Sequence, residues 1–100
     1  MEKRIVWSRI SLEQLNQIFA YIAEVSMSDN IAERMVNQIY RSAKILENNY
    51  EIYPLDIHKT NNDGSYRAYE IVHYRISYKI SEDEIQILAV RHTSRTPRKY

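Results

Sequence analysis

The sequence predicts a single α+β domain over residues 1–100, with element order β-α-α-β-β-β. Three observations predict it. Apolar residues recur at helical intervals through the first half of the chain and at intervals of two after Tyr50. Polar clusters at 26–30 (SMSDN) and 61–64 (NNDG) punctuate that pattern where turns belong. One Gly and two Pro in 100 residues make long flexible linkers unlikely.

Residues 3–8 (KRIVWS) form the first predicted strand. A helix is expected to begin at Ser11, where Ser11 and Gln14 have capping-box spacing. Leu12, Leu15, Ile18, Phe19 and Ile22 give it one apolar face. A second helix carries a stripe through Ile31 or Ala32, Met35 or Val36, Ile39, Ala43 and Leu46, and Asn48-Asn49 marks its end. Two amphipathic helices with a short link should pair antiparallel. Residues 52–59 are an interrupted strand candidate, weakened by Pro54. Residues 65–71 read as a strand. In 74–80, Tyr74, Ile76, Tyr78 and Ile80 alternate with Arg75, Ser77 and Lys79, which sets one buried and one polar face. Residues 81–83 form a hairpin turn. Residues 84–91 are apolar on both faces, with Ile85 and Ile87 against Leu88 and Val90, and this places the strand centrally. The expected architecture is a twisted, antiparallel-rich sheet with the N-terminal helical hairpin packed on one face, leaving the other face free.

Composition narrows the function classes. With no Cys, disulfides and thiolate metal sites are excluded, which fits a reducing cytoplasm. No apolar run approaches a membrane span, and the N-terminus lacks a signal-peptide core. Net charge is only +1, yet residues 91–100 hold Arg91, Arg95, Arg98 and Lys99, and no acid follows Glu84. A local basic patch attracts nucleic acid or an acidic partner even in a near-neutral protein. Nine Tyr against one Phe suit a sheet face that is apolar at its base and wet at its tip; stacking on bases is the alternative use.

Arg75, on a strand, offers a rigid fork for phosphate oxygens or for a pentavalent transition state; a salt bridge to Glu70, Glu84 or another acid is the structural alternative. Arg67, eight residues earlier, could pair with Arg75 across a hairpin as a cationic site. His92 ends the last strand, where an imidazole can protonate a leaving oxygen. Tyr100, next to Arg98 and Lys99, is a candidate base whose pKa a neighbouring cation would lower. His58, His73 and His92 are too dispersed for a zinc site. There is no Gly-rich phosphate loop, no Cys nucleophile and no carboxylate pair. Metal-free acid/base cleavage of a phosphodiester is the chemistry these side chains fit best, with no cofactor.

The segments IVWS, YIAEVS, AERMVNQI, YRAYEIVHYRISYKI and IQILAVRHTSRTPRKY together resemble the RelE/ParE superfamily, the toxins of type II toxin–antitoxin modules. The resemblance spans nearly the whole chain. It is sharpest in the YRI-x-Y strand and in the apolar strand that ends in RH. It implies a compact β-α-α-β-β-β fold, a cognate antitoxin that folds on binding, and one of two activities. RelE-like members cleave messenger RNA on the ribosome. That activity would assign catalysis to Arg75, His92 and Tyr100, and phosphate or RNA binding to Arg67, Arg91, Arg95, Arg98 and Lys99. ParE-like members inhibit DNA gyrase without that site. The chain departs from RNA-cleaving members in carrying Tyr66, Ala68 and Glu70 where some of them have lysines, and its long helical hairpin has ParE-like proportions. The expectation taken to the structure is a ribosome-dependent endoribonuclease, with gyrase inhibition as the alternative.

Overall fold

The computed structural model describes residues 2–100. Strand β1 (Arg4–Trp7) leads into helix α1 (Arg9–Ser26) and helix α2 (Asp29–Ser42), which tightens into a 3-10 turn over Ala43–Glu47. Strands β2 (Tyr66–Ile71), β3 (Tyr74–Ile80) and β4 (Glu84–His92) follow. Their order in the sheet is β1-β4-β3-β2. β2, β3 and β4 pair antiparallel, while β1 runs parallel to β4 with Ile5 opposite Ile85 and Trp7 opposite Ile87. A parallel pair needs a long crossover, and the helical hairpin supplies it. The same hairpin buries its apolar stripe on one sheet face. Leu15, Ile18, Ile39, Ala43 and Leu46 meet Tyr69, Tyr74, Ile76, Tyr78, Ile85, Ile87 and Val90 there.

The cap of α1 is Ser8, not Ser11. Ser8 has extended backbone, and its hydroxyl accepts from the Ser11 N–H at 3.0 Å. Ser11 is fully buried and donates its own hydroxyl to the Ser8 carbonyl at 2.8 Å. Gln14 is therefore free for another task. Its Oε1 accepts from the Val90 N–H at 2.6 Å. β1 covers β4 only as far as Ile87, so Gln14 satisfies a backbone donor that would otherwise lack a neighbouring strand. The break at 26–30 falls where expected: Met27 takes the left-handed conformation that ends α1, and the Ser28 hydroxyl caps α2 by accepting from the Ile31 N–H.

Two expectations about strands need correction. Residues 52–59 form a loop that touches the sheet through one bridge, Leu55 to Arg67. It runs along the β2 edge by the Asp56 N–H to Tyr66 and Ala68 N–H to Pro54 bonds. Nor is β4 apolar on two faces. Ser77 lies opposite Ala89 and Tyr78 opposite Ile87, which leaves Leu88 without a partner. This bulge reverses the alternation, so Val90 joins Ile85 and Ile87 in the core. The strand is central, but its apolar residues serve mainly one side.

The turn between β2 and β3 is Val72-His73, both with positive φ (42° and 71°). Tight hairpins require that conformation at both central residues, and Asn-Gly supplies it without the Cβ clash that Val and His incur. Replacing Val72-His73 by Asn-Gly should raise stability by about 1–2 kcal/mol, read as a higher urea midpoint with unchanged slope. Leu46, in the 3-10 turn after α2, is fully buried, and Leu46→Ala should cost about 2–5 kcal/mol in the same assay.

Candidate functional site

The sheet face away from the helices carries Glu70, Arg75, Ser77, Ala89 and Arg91. Their register follows directly from the strand pairs Glu70–Arg75, Arg75–Arg91 and Ser77–Ala89. After His92 the chain leaves the sheet and crosses this face as a strap, residues 93–99, which docks at Tyr100. The Thr93 N–H donates to the His73 carbonyl at 2.8 Å at one end of the strap. At the other, the Tyr100 N–H donates to the His58 carbonyl at 3.0 Å and the Tyr100 carbonyl accepts from Thr60 at 2.6 Å. A groove of about 670 Å³ remains between strap and sheet, bordered by Arg75, Arg91, Arg95, Arg98 and Lys99.

Asp56 closes the site. Its side chain is 0% exposed. Oδ1 accepts from Arg75 Nη2 at 2.6 Å and from the His58 N–H at 2.9 Å, and Oδ2 accepts from the Tyr100 hydroxyl at 2.6 Å. Burial alone would push this carboxyl up, but the three hydrogen bonds and the Arg75 charge outweigh it and hold it below its ordinary value. The Tyr100 ring meets Tyr66 edge to face at 5.9 Å, and Lys59 lies over both rings.

The structure gathers seven of the eight predicted site residues around one groove: Arg75, Arg91, His92, Arg95, Arg98, Lys99 and Tyr100. It changes what two of them can do. The Arg75 guanidinium is committed to a buried carboxylate. Tyr100 is pushed up, first by burial and then by its bond to Asp56 and that charge, which is the reverse of the lowered pKa expected beside Arg98 and Lys99. A phenol in that state is a poor base at neutral pH.

Arg67 stands elsewhere, and His92 borders the groove only from the end of its strand. His92 pairs with Tyr74, a core residue, so its register faces the helices while Arg75 faces away. Its Nδ1 accepts from the Ser94 N–H at 3.1 Å, and the ring lies 5.2 Å from Tyr74 and 6.5 Å from His73. It borders a second hollow of about 380 Å³ with Gln17, Tyr21 and Arg95. Arg67 pairs with Tyr78 on the helix side of the sheet and donates to the Glu51 and Tyr53 carbonyls at 3.2 and 2.7 Å. The Arg67–Arg75 cationic pair therefore does not form: their registers alternate to opposite faces. Most tyrosines of the 50–78 segment are structural. Tyr69, pushed up to about 12 by burial, bonds Ser42, and Tyr78 donates to the Tyr50 carbonyl.

Sequence reasoning missed Asp56. Its signal was present: a lone acid in the apolar run YPLDI, two residues before the N–H it binds, as in an Asx turn. Among the described residues no group of three or more His, Asp or Glu side chains is placed to hold a metal ion. No helix among them is long and apolar enough to cross a membrane.

This is a small mixed sheet backed by a helical hairpin and strapped by its own basic tail, and comparison places it among known toxins. The sequence pattern of the ParE toxin of the type II toxin–antitoxin system parDE matches residues 5–97, so the chain belongs to the ParE toxin family, within the RelE/ParE superfamily. The fold is shared with a structure described as the chromosomal ParDE toxin–antitoxin system from P. aeruginosa, at TM-score 0.77 and 17% identity, covering 93% of this chain and 98% of that one. No curated protein sequence matches it.

Because Asp56 titrates lower in the native state, its contribution to stability is complete above the ordinary carboxylate range and is lost as pH falls through the lowered native value. Urea unfolding should show stability falling below about pH 4. Asp63, lowered by its bonds to Ser65, adds to that slope. Asp56→Asn should remove the Asp56 part and leave the rest.

Proposed function

We propose that this ParE-family chain is the toxin of a two-component module and acts by binding its target, DNA gyrase, rather than by cutting RNA. One observation supports the reading: the three residues assigned to catalysis border one groove, but each is engaged by a neighbour there. Arg75 is held by Asp56, the Tyr100 hydroxyl donates to that same carboxylate, and the His92 Nδ1 is taken by the Ser94 N–H. A phosphodiester on the open face would meet cations and His92 at the border, but the Tyr100 hydroxyl that would partner His92 is tied to Asp56. What the face offers is a cationic ridge, Arg95, Arg98 and Lys99, over a groove floored by Glu70, Arg75, Ser77, Ala89 and Arg91, a combination suited to a macromolecular surface.

The cognate antitoxin is the second partner. Ile10, Tyr21 and Val25 are exposed on α1 with Gln14 and Gln17 between them, a continuous edge that ends beside Arg91 and Arg95. An acidic, apolar segment that folds on binding suits that surface. Both encounters would take place in the cytoplasm.

The purified protein should block gyrase supercoiling and leave ribosome-bound messenger RNA intact. Induction in cells should halt DNA synthesis before translation, and His92→Ala should arrest growth as fully as the wild type. Cleaved messenger RNA, abolished by His92→Ala, would overturn the binding reading in favour of the nuclease.

A further inference from the structure

Asp56 belongs to no strand or helix, yet its side chain is the most enclosed charge of the open face. It sits where three separated parts of the chain meet: Arg75 from β3, the loop at His58, and the strap at Tyr100. Tyr100 itself is 43% exposed, and residues 92–99 are exposed throughout, so little apolar burial holds the strap down. Charge opposes its closure. Arg75 and Arg91 face each other across β3 and β4, and the strap brings Arg95, Arg98 and Lys99 over them. Like charges at such spacing repel.

We infer that Asp56 is a positioning residue that latches the cationic strap, deciding whether Arg95, Arg98 and Lys99 lie fixed across the sheet or swing free. The latch acts through Tyr100 and Arg75 together. Its open state has a physical basis. Lifting Tyr100 returns Asp56 to water, and Glu70, directly opposite Arg75 on β2, is at hand as a replacement partner. Local opening of this kind requires no loss of the core. Besides Arg75 and Tyr100, the titratable groups near the carboxylate are His58 from its own loop and Lys59 over the Tyr66 and Tyr100 rings. The inference rests on the proposed function only in treating the strap as part of the surface that arrests growth.

Tyr100→Phe is the primary test, because it keeps the ring against Tyr66 and the Asp56–Arg75 pair and removes only the hydroxyl. Loss of one charge-assisted hydrogen bond should speed exchange of the Tyr100 and Thr60 amides at least about tenfold. The core-strand amides of Ile76 and Val90 should be unchanged. In wild-type protein the Tyr100 and Thr60 amide resonances should shift together as Asp56 titrates at acid pH, and Asp56→Asn should abolish that step. Growth arrest by Tyr100→Phe should weaken at equal expression. Unchanged exchange in Tyr100→Phe would overturn the latch, and so would a freed strap with full-strength growth arrest. Should Asp56→Asn fail to fold, Tyr100→Phe decides alone. If the wild type leaves gyrase untouched, the proposed target falls, while exchange and growth arrest still decide the latch.

Discussion

The functional side of this molecule depends on the unpaired residue in β4. Without the bulge at Leu88, strict alternation would carry the pattern of Ile85 and Ile87 forward to Ala89 and Arg91. Arg91 would then point at the helices and Val90 at solvent. With the bulge, Val90 fills the core above Ile76, and Arg91 comes to lie beside Arg75 on the uncovered face. One inserted residue thus converts a strand that looks apolar on both sides into one with a packed face and a charged face. Gln14 belongs to the same device, since it reaches the backbone of β4 just beyond the bulge, where β1 has ended.

The open face is governed by a shortage of negative charge. Arg75, Arg91 and the strap cations gather there, against Asp56 and Glu70. Asp56 resolves part of the conflict by taking two donors from distant parts of the chain on one enclosed carboxylate. Such a pair is a weak contributor to net stability but a strong constraint on geometry, because either partner left alone is costly. The same carboxylate that accepts from Tyr100 at the end of the strap also engages Arg75. This is why an arginine placed as if for phosphate chemistry is better read as the anchor of a surface.

The element order and the helical-hairpin packing were legible because periodicity and polar breaks agreed along the whole chain. What was not legible depended on contacts between distant segments. Ser11-Gln14 has the spacing of a capping box, but Ser8 wins the cap because β4 claims Gln14. The 84–91 run hid a bulge, which no local pattern reveals. The clustering of Arg91, Arg95, Arg98, Lys99 and Tyr100 was legible from composition near the end of the chain, and the placement of Arg75 from the alternation of its strand. Arg67 was expected beside Arg75 but lies on the other face, because facing depends on register, and a register shift of one reverses it. Asp56 was overlooked because a single acid in a loop carries meaning only once Arg75 and Tyr100 are folded against it.

The parallel pairing of β1 with β4 also governs how the chain is made. Arg4 and its partner Glu84 are 80 residues apart. At about 5–20 residues per second, the first strand waits roughly 4–16 s after its synthesis for the strand it must join. During that interval α1 and α2 can form, but the sheet has no centre and the basic strap does not yet exist. Such long-range closure folds slowly once synthesis is done. A newborn copy of this chain therefore has no complete sheet until its last strand arrives, and its unfinished hydrophobic face is open to capture throughout.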